Sequence, residues 1–255
     1  MKLKSPEIYV ISKPSFNEKE LRRFLETNGL KWKMDENAQP GEHIVEISGR
    51  VCYMSFTDDP SKGRFPNSNY ISNLISRGHE SVLEHSVWTF ILDGVSRSFT
   101  HQLVRHRVGF SYSQLSQQYH DESEAEMVLP NGLHNAHPAF AAWEQAVDKM
   151  LSAYKSLVGM SLQGGPDDGR ERLRWIRSVA RSLLPNATAT TIAVTANARA
   201  LRHFLNLRGA IEGDYEMREV SVRLLKAIGP DAPALFADFD IVTHHDGHEM
   251  VVKTS

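Results

Sequence analysis

The residues with the clearest chemical potential run from Arg105 to Tyr119. Arg105-His106-Arg107 is followed by a short polar and aromatic stretch, and Ser116 lies nine residues beyond Arg107. Arginine presents a rigid fork of N–H donors that matches a phosphate. Serine hydroxyls and backbone N–H groups can complete the shell around such an anion. The same residues also have a plainer explanation, in which a basic run ends a helix and complements its negative end. Ser116 has no evident base beside it, which suits a phosphate ligand better than a nucleophile.

A second titratable stretch is Gly78-His79-Glu80-Ser81-Val82-Leu83-Glu84-His85. It joins a helical segment to an apolar strand, a kind of junction where sites are often built. His79, Glu84 and His85 are metal ligands by type, but no further ligand converges on them and no metal is expected. His244, His245 and His248 likewise raise a metal cluster, against the simpler alternative of a disordered terminus. Cys52 is the single cysteine, so an internal disulfide is excluded and a reducing compartment fits. Set among Val45, Val51 and Tyr53, it reads as core packing rather than a nucleophile.

The elements that must position these groups follow from pattern. With 255 residues and 41% hydrophobic content, the chain can bury a substantial core. Glu7–Ile11 reads as a strand, and Ser15 with Glu18 forms a capping-box pattern for a helix through Thr27, ended by Gly29. Helices are expected at Gly41–Tyr53, Asn67–Arg77, Ser96–Arg107, Ala139–Leu157, Arg170–Leu184, Asn197–Arg208 and Asp214–Ile228. Val87–Leu92 and Thr188–Thr195 read as strands. Asp58–Pro66, the acidic stretch Asp121–Glu126 and the Gly164–Gly169 connector read as loops. Few strands among long helices argue α+β. With no internal repeat and no composition break, 1–240 is read as a single catalytic α+β domain and 241–255 as a C-terminal tail.

Charge narrows the partners. With 29 Lys+Arg against 31 Asp+Glu, the net charge is −2, so no global draw toward nucleic acid or membrane is expected. A local basic cluster in a near-neutral chain points instead to a small anion such as a nucleotide phosphate. There is no signal-peptide-like region and no apolar run long enough to span a bilayer, so a soluble cytoplasmic protein is expected.

Four stretches, spread over most of the span from Gly49 to Phe239, resemble the flavin-dependent thymidylate synthase family. Gly78–His85 is similar to its Gly-His-x-Ser/Thr-x-x-Glu-His block. His101–Arg107 with Ser116 is similar to its Arg-His-Arg…Ser signature. Arg181-Ser182-Leu183-Leu184-Pro185 and Asn197–Arg208 resemble two further blocks. The resemblance implies a fold with a central antiparallel sheet flanked by long helices. It implies FAD as cofactor, held by Ser81, Glu84, Arg105, His106, Arg107, Ser113, Asn197, Arg199 and His203. It implies a nucleotide substrate held by Gln102, Arg105, Gln114, Leu115, Ser116, Gln118, Arg181 and Arg208, with Arg208 and His79 at the reacting centre. It further implies C5 methylation of dUMP with 5,10-methylenetetrahydrofolate as carbon donor and NADPH as reductant, in a homotetramer with shared active sites. Nucleic acid, membrane and metal are not among the implied partners.

Helix geometry gives a separate reason to expect an interface. At about 100° per residue, Asn197 and Arg208 fall on nearly one stripe while His203 lies about 120° away, so ligands are expected on both sides of that helix. Two departures from the family pattern stand out. The family usually has Arg two residues after the signature Ser, where this chain has Gln118, and the spacer is one residue longer, with Gly109 absorbing the length. Gln cannot make the charge-assisted phosphate contact of Arg, but its amide suits a hydroxyl-bearing sugar. UMP therefore joins dUMP as an expected substrate, the alternative being a strictly dUMP-specific enzyme. A flavin- or nucleotide-binding paralogue without turnover would be expected to lack His79 or Arg208, and both are present.

Overall fold

A computed structural model describes residues 1–62, 65–133, 136–160 and 162–254. Six strands and eight α-helices alternate along these residues: β1 Glu7–Ser12, α1 Glu18–Thr27, α2 Pro40–Tyr53, α3 Asn67–Ser76, β2 Val87–Ser96, α4 Arg97–Leu103, β3 Phe110–Gln114, α5 Pro138–Gly159, α6 Gly169–Ala180, β4 Ala189–Asn197, α7 Ala198–Arg208, α8 Tyr215–Ile228, β5 Phe239–Thr243 and β6 Glu249–Lys253. One sheet has the order β1-β2-β4-β3 and a second pairs β5 with β6. The α+β expectation holds.

Local chemistry sets most element ends. Gln39 and Glu42 form a reciprocal capping box at the start of α2, where Pro40 supplies a preset φ. Asp214 caps α8 by accepting from the Met217 N–H at 3.1 Å. At α1 the cap is Asn17, whose side chain accepts from the Glu20 N–H at 3.2 Å, not the Ser15 of the expected box. The long helix expected over Ser96–Arg107 stops at Leu103. There the Tyr112 hydroxyl donates to the Leu103 carbonyl at 2.9 Å, satisfying an acceptor that a continuing helix would have used. The basic run Arg105-His106-Arg107 thus follows the helix rather than forming its last turn.

Strands β2 and β4 are antiparallel: Thr89 meets Thr195 at 2.9 Å, and Thr191 donates to Asp93 at 2.6 Å, so positions rise on one strand as they fall on the other. Strand β3 is antiparallel to β4 by the same test, from Leu115 N–H to Thr191 O at 2.9 Å and Asn197 N–H to Gly109 O at 3.2 Å. One face of β4 buries Thr190, Ile192, Val194 and Ala196, as period-two alternation requires.

Contact density divides the chain into two compact units, the first comprising Met1–Glu7, Leu92–Arg105 and Tyr112–Ala193, the second Ile8–Ile91, His106–Ser111 and Val194–Ser255. The first has a core that includes Leu92, Phe99, Leu103, Val147, Tyr154 and Ile176. Within it, Glu122 is buried rather than solvated as the acidic-loop expectation had it. Its backbone N–H donates to the Tyr154 hydroxyl at 3.0 Å, and its carboxylate lies 3.7 Å from Arg97.

The second unit is centred on Trp88, Ile71, Leu83, Leu201 and Leu205. Its helix α2 turns Cys52 outward, so the expected core thiol is exposed. The expected disordered terminus is instead the β5–β6 hairpin, in register from Phe239↔Lys253 to Thr243↔Glu249. Val251 is buried and its N–H donates to the Gly209 carbonyl at 3.0 Å. Asp246, in the hairpin turn, pairs with the buried Arg218.

A buried polar cluster ties α2 to α3. Glu46 accepts from Arg50 at 2.6 and 2.8 Å and from the Asn67 amide at 2.6 Å. The side chains of Arg50 and Glu46 are only 4% and 5% exposed, so losing the carboxylate strands a cation and an amide in low dielectric. Glu46→Ala is expected to destabilise the protein by about 3–5 kcal/mol, read from urea denaturation. A loss under about 1 kcal/mol would mean that the pair is not buried as described.

Candidate active site

In the second unit the site is assembled where β4 becomes α7. Asn197 caps α7, its side chain accepting from the Ala200 N–H at 2.9 Å, while its own N–H donates to Gly109 O at 3.2 Å. Gly109 has φ +75°, and a Cβ there would lie 2.7 Å from Asn197 Nδ2 and 2.8 Å from the Ala200 methyl. Both the backbone conformation and the space therefore require glycine at this position. Docking at Gly109 brings His106 onto α7, where its ring centroid lies 5.2 Å from Phe204 and 6.0 Å from His203.

His106 Nε2 accepts from Arg208 Nε at 3.1 Å. An acceptor nitrogen carries no proton, so the imidazole is neutral with its hydrogen on Nδ1. Burial pushes its pKa below the ordinary 6.5, and the nearby Arg208 and His203 push it further. His106 thus reaches both His203 and Arg208. Asn197, read from sequence as one end of a stripe with Arg208, also serves as the cap of the helix.

The same unit contains a cleft of about 680 Å³, lined among others by Cys52, Tyr70, Arg77, His79, Ser81 and Arg199. Arg199 donates to Glu84 at 2.6 Å and lies 3.7 Å from Glu80. Two guanidinium groups, a hydroxyl, an imidazole and a tyrosine ring suit a large ligand with both anionic and aromatic parts, and the volume lies in the usual range for cofactor sites. FAD fits that donor set. Sequence reasoning missed Arg77 and Tyr70; the close approach of the Tyr70 hydroxyl to Gly49, 2.6 Å from where a Cβ would stand, leaves no sequence pattern.

In the first unit the segment after β3 runs against α6. Gln114 donates to Thr100 Oγ1 at 2.9 Å, and the Leu115 carbonyl accepts from Arg97 at 2.8 Å. Gln118 donates to Ser178 Oγ at 2.9 Å and accepts from Arg174 Nε at 3.2 Å. One amide proton and one lone pair of Gln118 remain for other partners. Arg177 donates to the Tyr119 carbonyl at 2.7 Å. Gln102, Arg105 and Arg181 are exposed.

The family model described as thymidylate synthase complementing protein matches residues 34–234. A protein of Mycolicibacterium gilvum (strain PYR-GCK) named flavin-dependent thymidylate synthase is 40% identical over 226 residues, which is 88% of this chain and 89% of that one. Proteins of the same name from Corynebacterium aurimucosum and Mycobacterium avium (strain 104) are each 40% identical, over 225 and 232 residues, covering 87% and 90% of this chain and 89% and 91% of theirs. The chain belongs to the flavin-dependent thymidylate synthase family.

The residues expected from resemblance to the flavin-dependent thymidylate synthases divide between the units. Of the flavin set, Ser81, Glu84, His106, Arg107, Asn197, Arg199 and His203 belong to the second, with His79 and Arg208; Arg105 and Ser113 belong to the first. Of the nucleotide set, all except Arg208 belong to the first. No described helix is long and apolar enough to cross a membrane. Among the described residues no group of three or more His, Cys, Asp or Glu is arranged to hold a metal ion.

The His106 geometry sets a pH dependence. A folded-state pKa below the unfolded value means that the unfolded chain binds the proton more readily, so the contribution is intact above about 6.5 and is lost as pH falls through the folded value. Protonation also removes the acceptor for Arg208 and sets cation against cation. In an NMR titration His106 is expected to protonate below 6.5, and the acid-side stability loss is expected to shrink in His106→Gln. A His106 midpoint above the ordinary value would contradict the Arg208 hydrogen bond.

Proposed function

We propose that the protein is an FAD-dependent enzyme that methylates C5 of a uridine monophosphate nucleotide, dUMP above all. In this reading 5,10-methylenetetrahydrofolate supplies the carbon and NADPH is the reductant. The single observation that carries the reading is the Arg208–His106 hydrogen bond at 3.1 Å. It fixes Nε of the guanidinium on a neutral partner and leaves its terminal edge available. Methylation at C5 requires electron density at that carbon, and negative charge then develops on the ring carbonyls. A pre-oriented guanidinium stabilises that charge without reorganising. His79 is the second group assigned to the reacting centre. When bound, FAD supplies the hydride that completes the methyl group, a step the protein supports by placement.

Ser81, Glu84, Arg107, Asn197, Arg199 and His203 are assigned to holding FAD, and Gln102, Arg105, Ser116 and Arg181 to holding the nucleotide. The polar cleft and the names of the 40%-identical relatives support this assignment. A cytoplasmic homotetramer with shared sites, each chain acting as one catalytic domain, belongs to the same proposal and is supported by the family resemblance.

Purified protein is expected to be yellow with non-covalent FAD and to convert dUMP when given methylenetetrahydrofolate and NADPH. Protein that stays colourless with added FAD would remove the proposal, and flavin-loaded protein that binds dUMP without product would favour a paralogue lacking turnover. Arg208→Ala is expected to lower kcat by roughly a hundredfold, corresponding to about 3 kcal/mol of barrier, with little change in unfolding midpoint. Arg208→Lys should recover little, because a point charge does not reproduce a planar fork. Normal turnover by Arg208→Ala at saturating nucleotide would refute the role.

One observation favours the ribonucleotide as a second substrate: Gln118 is neutral and retains a free donor and acceptor beyond its bonds to Ser178 and Arg174. Wild type is then expected to use UMP as well as dUMP, and Gln118→Arg to shift the ratio of kcat/KM values toward dUMP. Negligible UMP turnover by wild type leaves a strictly dUMP-specific enzyme. UMP turnover with an unchanged ratio in Gln118→Arg would detach the preference from this residue.

A further inference from the structure

The neutral side chain at 118 does not leave the segment after Ser116 without positive charge. Its amide oxygen accepts from Arg174 Nε at 3.2 Å, and its amide nitrogen donates to Ser178 on the same helix at 2.9 Å. Arg174, Ser178 and Arg181 are spaced four and three apart, which puts them on one face as α6 passes into the 3₁₀ turn Arg181–Leu183. Ser116 is tied to the same place, because its Oγ accepts from the Gln118 N–H at 3.3 Å. One guanidinium group, that of Arg174, and two serine hydroxyls are therefore connected through Gln118 in the first unit, with Arg181 on the same face. We propose that Arg174 is a phosphate ligand for the nucleotide, and that Gln118 is its positioning residue. The inference rests on the nucleotide reading above.

Competing charges do not cancel this arrangement. Arg174 Nη1 also lies 3.2 Å from Glu171, but the two side chains are 41% and 53% exposed, and such pairs contribute little. Arg174 Nη2 makes no hydrogen bond among the described residues. A phosphate dianion offers more charge than one carboxylate and accepts at several oxygens, so it can share the fork or take it over. The plainer alternative is that Gln118 and Arg174 merely staple the segment to α6. That alternative predicts equal damage to nucleotide and nucleoside binding when Arg174 is lost.

The test is calorimetric binding of dUMP and of deoxyuridine to the FAD-loaded protein, with melting temperature as the check on folding. Arg174→Gln is expected to weaken dUMP by roughly ten- to a hundredfold, the range for one charge-assisted hydrogen bond, and to leave deoxyuridine unchanged. Arg174→Lys should fall between, and Gln118→Ala should show a smaller loss confined to dUMP. Arg223→Gln, exposed on α8 and paired with Glu219, should bind dUMP as wild type does. If Arg174→Gln fails to fold, the dUMP-to-deoxyuridine ratio in Arg174→Lys and Gln118→Ala decides by the same criterion. Undiminished dUMP binding, or equal losses for both ligands, would overturn the assignment while leaving the proposed function standing. Failure of wild type to bind dUMP at all would overturn both.

Discussion

The backbone hydrogen bond from Asn197 N–H to Gly109 O, at 3.2 Å, is the constraint on which the second unit's polar groups depend. It sits where β4 ends and α7 begins, and Asn197 uses its side chain at the same point to cap the helix. The next residue continues the pattern, as Ala198 N–H donates to Ser86 O at 2.8 Å. Two separate stretches of sequence, around Gly109 and around Ser86, are thereby fixed to one helix N-terminus by main-chain bonds, whose geometry does not vary with side-chain choice. Gly109 is the permissive residue: any Cβ would strike Asn197 and Ala200. The register of residues 106–111 along α7, and so the pairing of His106 with Arg208, follows from that contact.

How much of this was legible in the sequence depended on whether the deciding interaction was local. Helices α2, α7 and α8 were readable because their caps lie within three residues of the groups they satisfy. The end of α4 was not, because Tyr112, nine residues from Leu103, supplies the stop. The β5–β6 hairpin looked polar enough to be disordered. What orders it includes contacts distant in sequence: Arg218 meets Asp246 across 28 residues, and the buried Val251 bonds to Gly209. The site residues were legible as types and in motif order, since His79, Ser81 and Arg199 do line one cleft. Arg174 was not, because nothing in α6 distinguishes it from Arg170 or Arg172 until Gln118 is seen to reach it.

The arginine-rich block Asn197–Arg208 shows why a motif is not a site. Arg202, inside that block, is buried and bidentate to Asp238 at 2.6 and 2.7 Å, so it holds α7 to the chain just before β5. Arg199, three residues earlier and exposed, is paired at the edge of the cleft. Arg208, at the helix end, meets no carboxylate among the described residues. Burial and the partner each guanidinium meets sort the three roles, and a string of similar letters conceals them.

The partner of each guanidinium completes that sorting. Buried Arg50, Arg202 and Arg218 are tied to the carboxylates Glu46, Asp238 and Asp246, which cancels their charge where water cannot screen it. Arg208 and Arg174 are tied through Nε to neutral acceptors, His106 Nε2 at 3.1 Å and Gln118 Oε1 at 3.2 Å, although Arg174 also keeps a half-exposed pair with Glu171 through Nη1 at 3.2 Å. A neutral acceptor at Nε fixes the plane of the fork without itself cancelling the charge, and at Arg208 no carboxylate among the described residues cancels it either. A carboxylate in the same position would orient the arginine equally well and remove most of its attraction for an anion. A protonated imidazole would do neither. The low pKa of His106 is therefore a condition for Arg208 to serve as an oriented cation, and the burial that depresses it belongs to the site as much as the arginine does.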